Sequence, residues 1–290
     1  MPLLAAAEPL PLGVACWHAL ILGVVQGLTE FLPISSTAHL KVVPELLGWG
    51  DPGVAFTAVI QLGSIAAVLA YFREDLREVL SGIARACRHG QWSDPSARLG
   101  VAIVLGTIPI VLAGMVLKGW WPGYESSPLR SMVSIGVISI VMALLLALAE
   151  LVGSRRRQID QVRPRDGLLV GLAQALALVP GVSRSGSTLT ASLFDGWQRP
   201  AAARFSFLLG IPAITLAGLV ELKGALDSPV NGGPLPTLVG VLSAALVSWA
   251  AIAWLLRFLQ RHSTWIFVGY RLLFGIAILI WFRQLDAPAA

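Results

Sequence analysis

Long apolar runs alternate with short polar loops along this chain. Six runs, at residues 54–72, 99–117, 132–151, 205–222, 236–256 and 264–282, have the length and composition of membrane spans, which need about 20 residues. Two further regions, 15–47 and 167–200, are apolar but interrupted near the middle, by Pro33 and by Pro180-Gly181. Each limb of these regions reads as too short to cross. The pattern therefore predicts two re-entrant helix–break–helix hairpins, which are tolerated where protein or a water-filled cavity covers the open backbone.

The loops carry an orientation signal. Arg73, Arg77, Arg85, Arg88 and Arg98 lie in 73–98, five arginines from Arg155 to Arg165 lie in 153–166, and Arg257 and Arg261 lie in 257–263. The segment 118–131 has only Lys118 and Arg130, and 223–235 has only Lys223. By the positive-inside rule the first three are cytoplasmic and the last two external, which places both termini outside. The predicted fold is a single all-α polytopic membrane domain, 1–290, with an inverted-topology repeat. Its halves, about 15–152 and 167–283, are joined by the basic loop 153–166. Each half is one re-entrant hairpin followed by three transmembrane helices. Gly23-Val24-Val25-Gln26 leading to Pro33 and a serine pair is echoed by Gly171-Leu172-Ala173-Gln174 leading to Pro180 and a second serine pair. Chance similarity of apolar helices is the competing explanation. In inverted repeats with broken helices the site sits near mid-membrane, where half-helix N-termini face an anion, so the two hairpins are expected to meet tip to tip.

Composition agrees with this picture. The chain is 56% hydrophobic and only 13% charged, with a mean hydropathy of +0.76, whereas soluble domains carry about 25% charged residues. The net charge of +5 is distributed as an orientation signal, so no nucleic-acid partner is expected. Cys16, in an apolar stretch, and Cys87, in a basic loop, do not suggest a disulfide framework. Residues 1–14 contain no Lys or Arg, so the first apolar segment is expected to be retained rather than cleaved as a signal.

Chemistry concentrates at the two breaks. In the first, Gln26 and Glu30 are four apart and share a helix face. Pro33 ends that helix, and Ser35, Ser36 and Thr37 stand where the next one begins, with free N–H groups and the positive end of its dipole; His39 follows within a turn. Such an N-terminus suits phosphate, although Ser35 or Ser36 acting merely as a cap would explain the serines alone. In the second, Ser183-Arg184-Ser185-Gly186-Ser187-Thr188 follows the Pro-Gly break. Arg184 offers a planar fork for phosphate oxygens, Gly186 permits close backbone approach, and Ser183, Ser185 and Thr188 add hydroxyl donors. The competing reading pairs Arg184 with Glu30 as a structural ion pair. Gln61 serves helix packing as well as site lining, and Tyr270-Arg271 reads as an interfacial anchor. No GxxxxGK[ST] loop supports ATP coupling, and no His or Cys cluster suggests zinc.

The residues Glu30-Phe31-Leu32-Pro33-Ile34-Ser35-Ser36-Thr37-Ala38-His39, Val59-Ile60-Gln61-Leu62-Gly63-Ser64-Ile65, Pro180-Gly181-Val182-Ser183-Arg184-Ser185-Gly186, Phe205-Ser206-Phe207-Leu208-Leu209-Gly210-Ile211-Pro212 and Tyr270-Arg271 resemble the undecaprenyl-diphosphatase family of bacterial inner membranes, the bacitracin-resistance phosphatases. The resemblance implies hydrolysis of undecaprenyl diphosphate to undecaprenyl phosphate and inorganic phosphate, which recycles the lipid carrier of cell-wall synthesis. It also implies an active site open to the outer, periplasmic side of the inner membrane, Mg²⁺ or Ca²⁺ as cofactor, the bilayer and a polyprenyl diphosphate lipid as partners, and a homodimer as one candidate assembly. The family's first motif begins with an acidic residue or Gln. Here it is Gln26, which leaves Glu30 as the one candidate metal ligand and puts a two-carboxylate metal site in doubt.

On this reading Glu30, Ser36, His39 and Arg184 are catalytic, and Gln26, Ser35, Thr37, Ser183, Ser185, Gly186 and Thr188 bind substrate. Ser36 is the first choice of nucleophile, with Glu30 as base or metal ligand and His39 as general acid or base. His39 as nucleophile, or a water activated by Glu30, stays open. A transporter or flippase of an anionic prenyl lipid or small anion is the alternative from another class, since the same scaffold would serve it.

Overall fold

The computed structural model describes residues 10–121, 123–124, 127–226 and 233–285. Residues 227–232 of the expected external loop and both chain ends lie outside the described residues. Among the described residues eleven α-helices follow one another: α1 Leu12–Phe31, α2 Ser36–Leu46, α3 Val54–Tyr71, α4 Arg73–His89, α5 Pro95–Trp120, α6 Met132–Val152, α7 Pro164–Ala175, α8 Arg184–Phe194, α9 Arg199–Leu226, α10 Pro234–Arg261 and α11 Trp265–Leu285. Among the described residues there is no strand, and the one bridge is an isolated pairing of Arg157 with Trp197.

The chain is an all-α, multi-pass membrane protein. Helices α1, α5, α6, α9, α10 and α11 are long and apolar enough to cross a membrane, and α3 joins α4 through a bend of 67°. Large apolar side chains such as Leu112, Leu144, Leu246 and Leu273 stand exposed on α5, α6, α10 and α11, while Gln26, Glu30, Ser64, Ser248 and Arg271 are buried. That reversal of the usual pattern is what a lipid surround selects. Helix α1 departs from expectation. At 20 residues it is about 30 Å long, enough to span, whereas α2, α7 and α8 have 11, 12 and 11 residues. No proline occurs between Leu12 and Leu32 to shorten it.

Helix ends follow local chemistry. Asp94 caps α5 by accepting from Ser96 N at 2.8 Å, just before Pro95, and Ser131 Oγ caps α6 from Ser134 N at 3.2 Å. Helix α4 has Glu74 and Asp75 in its first turn and Arg88 and His89 in its last, and ends on Gly90 in the left-handed region.

The first helix of each hairpin packs on a helix from the other half of the chain, α1 along α10 and α7 along α5. Both pairs depend on small residues that let backbones touch. A Cβ on Gly23 would lie 2.4 Å from the Gly240 carbonyl oxygen, one on Gly27 2.9 Å from that of Ala244, and one on Gly171 2.3 Å from that of Gly106. Helices α6 and α11 pack on each other, as do α3 and α9. At the arginine-rich end, buried Glu150 of α6 accepts from Arg199 Nε at 2.9 Å and from Thr264 Oγ1 at 2.7 Å. It thereby ties α6 and α9 to the α10–α11 turn.

Candidate active site

The residues between α1 and α2 and those between α7 and α8 meet inside the bundle. Each break delivers its chain to the next helix through a serine at positive φ, Ser35 at 78° and Ser183 at 70°. Non-glycine residues adopt this region rarely and at a cost, and such outliers cluster at functional sites.

Arg271 of α11 locks the breaks together. Its side chain is almost fully buried and donates to the carbonyl oxygens of Pro33 (Nη1, 3.0 Å), Val182 (Nη1, 3.2 Å), Gly181 (Nη2, 2.6 Å) and Ser139 (Nε, 3.4 Å). These carbonyls come from both breaks and from α6. The sequence reading of Tyr270-Arg271 as an interfacial anchor is therefore corrected for Arg271. Four carbonyl dipoles hold its charge where a carboxylate partner would otherwise be needed. Ser185 Oγ adds a second tie by donating to the Leu32 carbonyl at 2.9 Å.

Glu30 is the hub of the cluster. Its Oε2 accepts from Ser36 Oγ at 2.8 Å and from Gln26 Nε2 at 3.3 Å, and its Oε1 accepts from Arg184 Nη2 at 3.2 Å. The Glu30 and Arg184 side chains are only 8% and 9% exposed, so the pair sits in a largely desolvated setting. Both readings of Arg184 thus share one geometry, because the arginine that pairs with Glu30 still has Nε and Nη1 buried and without an acceptor. A guanidinium carries five N–H donors, and three of them are spare here. The first turn of α2 is also open, since no side chain caps it. Arg184 and Ser36 thus meet on the two oxygens of one carboxylate, with Ser36 at the uncapped, positive end of the α2 dipole.

The other expected residues are placed differently. His39 Nδ1 is 2.7 Å from the Ser35 carbonyl oxygen, and Nε2 is 2.6 Å from Tyr270 Oη. A carbonyl can only accept, so Nδ1 carries the proton and Nε2 accepts from the tyrosine hydroxyl. The ring also stacks on Phe274 at 4.2 Å. His39 thus faces α11 and fixes the carbonyl of the strained serine. Ser183 Oγ accepts from Gly186 N at 3.1 Å as the cap of α8. Thr188 Oγ1 donates to the Arg184 carbonyl at 2.8 Å and meets the Ser206 hydroxyl. Gly186 allows close approach, but of Arg271: a Cβ there would stand 2.9 Å from Arg271 Nη1. Thr37 is exposed.

Sequence reasoning missed Ser64 and Ser248. Gln26 Nε2 also approaches Ser64 Oγ at 3.5 Å, and Ser248 Oγ donates to Ser64 Oγ at 2.8 Å, giving the Gln26 amide a buried backing from α3 and α10. The visible signal was Gln61, which lies one turn too early on the same helix.

For a divalent ion the donor set is poor. Glu30 already bonds an arginine, a serine and an amide, and among the described residues no group of three His, Cys, Asp or Glu side chains gathers to hold a metal. Gln26 turns an amide N–H toward the carboxylate, where a two-carboxylate site would need oxygen.

The bacitracin resistance protein BacA family matches residues 19–277. The chain is similar to an undecaprenyl-diphosphatase of Synechococcus sp. strain CC9605, at 72% identity over 268 residues, covering 92% of this chain and 93% of the relative. A protein of the same name from Prochlorococcus marinus strain MIT 9303 is 73% identical over 267 residues, with 92% and 91% coverage. Another from strain MIT 9313 is 71% identical over 281 residues, with 97% and 93% coverage.

Proposed function

Because the chain belongs to the bacitracin resistance protein BacA family, we propose that it hydrolyses undecaprenyl diphosphate to undecaprenyl phosphate and inorganic phosphate. The reaction returns the lipid carrier to cell-wall synthesis. The observation that carries the chemistry is the hydrogen bond from Ser36 Oγ to Glu30 Oε2 beside a partly unpartnered Arg184. Nucleophile, base and charge clamp then lie within one cluster, with the nucleophile–base spacing that activation requires.

The diphosphate enters with its terminal phosphate at the N-terminus of α2 while the prenyl chain stays in lipid. Arg184 Nε and Nη1 and the N–H groups after Ser35 take the phosphate oxygens. Positioning and charge stabilisation of this kind supply most of the acceleration in phosphoryl transfer. Ser36 Oγ forms a bond to the terminal phosphorus as its proton passes to Glu30 Oε2. The bridging P–O bond breaks, and Glu30 returns the proton to the departing undecaprenyl phosphate. Water then attacks the phosphoserine phosphorus as Glu30 takes its proton; the bond from phosphorus to Ser36 Oγ breaks, Glu30 returns the proton to Ser36 Oγ, and inorganic phosphate leaves. His39 and Tyr270 hold the Ser35 carbonyl, and Ser183, Ser185 and Thr188 brace the second break. Mg²⁺ or Ca²⁺, where one takes part, would offset phosphate charge, with Glu30 the one carboxylate of this cluster able to hold it. The setting is the bacterial inner membrane, with the site open to the periplasmic side in keeping with the arginine-rich loops being cytoplasmic.

Purified protein is expected to release phosphate from undecaprenyl diphosphate. Arg184→Ala should lower turnover by about 10³-fold or more, the scale on which a phosphate-clamping arginine acts. No release at adequate Mg²⁺ and Ca²⁺ would overturn the enzymatic reading in favour of anion or lipid transport, which has no need of a serine bonded to a carboxylate.

A further inference from the structure

Arg184 reaches Glu30 across the surface of α9 at a position that lacks a side chain. A Cβ built on Gly210 would lie 1.7 Å from Arg184 Nη1, 2.6 Å from its Cζ and 3.4 Å from its Nε. The three nearest atoms all belong to that one guanidinium. Gly210 sits inside a long helix, where glycine is less favourable than alanine, and its φ is not in the left-handed region. Local backbone therefore gives no reason for a glycine, whereas the arginine does. Its neighbours Leu208 and Leu209 are fully buried and Ile211 nearly so, which fixes this stretch of α9 and with it the floor under the guanidinium.

We propose that Gly210 is a positioning residue for phosphoryl transfer: its bare backbone is the seat on which the Arg184 guanidinium lies beside Glu30. The inference rests on Arg184 being the phosphate clamp. The three atoms that a side chain at 210 would meet first all belong to the flexible end of one arginine. The fold can then absorb the change by moving that arginine, while the site cannot.

The test is a double-mutant cycle on the purified full chain, with phosphate release from undecaprenyl diphosphate and thermal unfolding measured for wild type, Gly210→Ala, Arg184→Lys and the double variant. Gly210→Ala should unfold at or above the wild-type temperature and lose about tenfold or more in kcat/KM, the effect of losing one charge-assisted hydrogen bond. In the Arg184→Lys background the same substitution should cost under about threefold, because a slender ammonium has room beside a methyl group. Equal losses in both backgrounds would overturn the seat, since Gly210 would then act through helix packing. Unchanged activity in Gly210→Ala alongside an inactive Arg184→Ala would overturn the seat and leave the clamp standing. An active Arg184→Ala would remove the clamp itself.

Discussion

At both breaks a serine with positive φ opens an 11-residue helix, Ser35 before α2 and Ser183 before α8, yet the two helix N-termini differ in what they leave free. Ser183 turns its hydroxyl onto Gly186 N and closes its own helix. Ser35 makes no such bond and leaves α2 open. The helix before the first break carries Glu30, which binds Ser36, Gln26 and Arg184. In the second hairpin Gln174, the counterpart of Gln26, donates to the Gly106 carbonyl at 3.3 Å, and Leu178 stands where the first has Glu30. One backbone device thus appears twice, once left uncapped and once closed by its own serine. The second break contributes to the first through a single charged side chain, Arg184, and through the ties made by Ser185 and by Arg271.

Substitutions can break that contrast in graded steps. Glu30→Gln removes the base and the partner of Arg184 together, so kcat for phosphate release should fall by about 10³-fold or more. A fall under tenfold would show that the first break is not where the proton goes. Arg271→Ala removes the donors that join the breaks and leaves buried carbonyls unpaired. A stability loss of about 3–5 kcal/mol, of the size seen when one partner of a buried charged contact is removed, should appear in denaturant unfolding, and Arg271→Lys should recover only part of it. Ser183→Ala should cost about 1 kcal/mol, as a lost helix cap does, and leave the rate within a few-fold of wild type. If Ser183→Ala instead abolished turnover at full stability, the second break would share the chemistry and the contrast would collapse.

Much of this was legible in the chain. Pro33 and Pro180-Gly181 mark both breaks, and the four-residue spacing of Gln26 and Glu30 puts them on one helix face because the helical repeat is local physics. The pairing of Glu30 with Arg184 is legible only as the competing reading of Arg184, and the structure contains it. What stayed hidden depends on which helix becomes a neighbour. His39 faces Tyr270, 231 positions away, and Arg271 reaches Pro33 over 238. No periodicity encodes such partners. Gly210 had no visible purpose until an arginine was found lying on it, and Ser64 was eclipsed by Gln61, the larger polar residue of the same helix. Helix α1 differs from the sequence reading for a simpler reason: Pro33 reads as the midpoint of a short hairpin, although the apolar run preceding it is itself long enough to span.

The central claim is that chemistry occurs at the first break, on Ser36. Rapid quenching of the purified enzyme with undecaprenyl diphosphate labelled in its terminal phosphate, followed by mapping of the labelled peptide, tests it most directly. The account predicts transient label on Ser36 that is absent from Ser36→Ala; label on His39 or on a serine of the second break, or turnover with no covalent label at all, would contradict it.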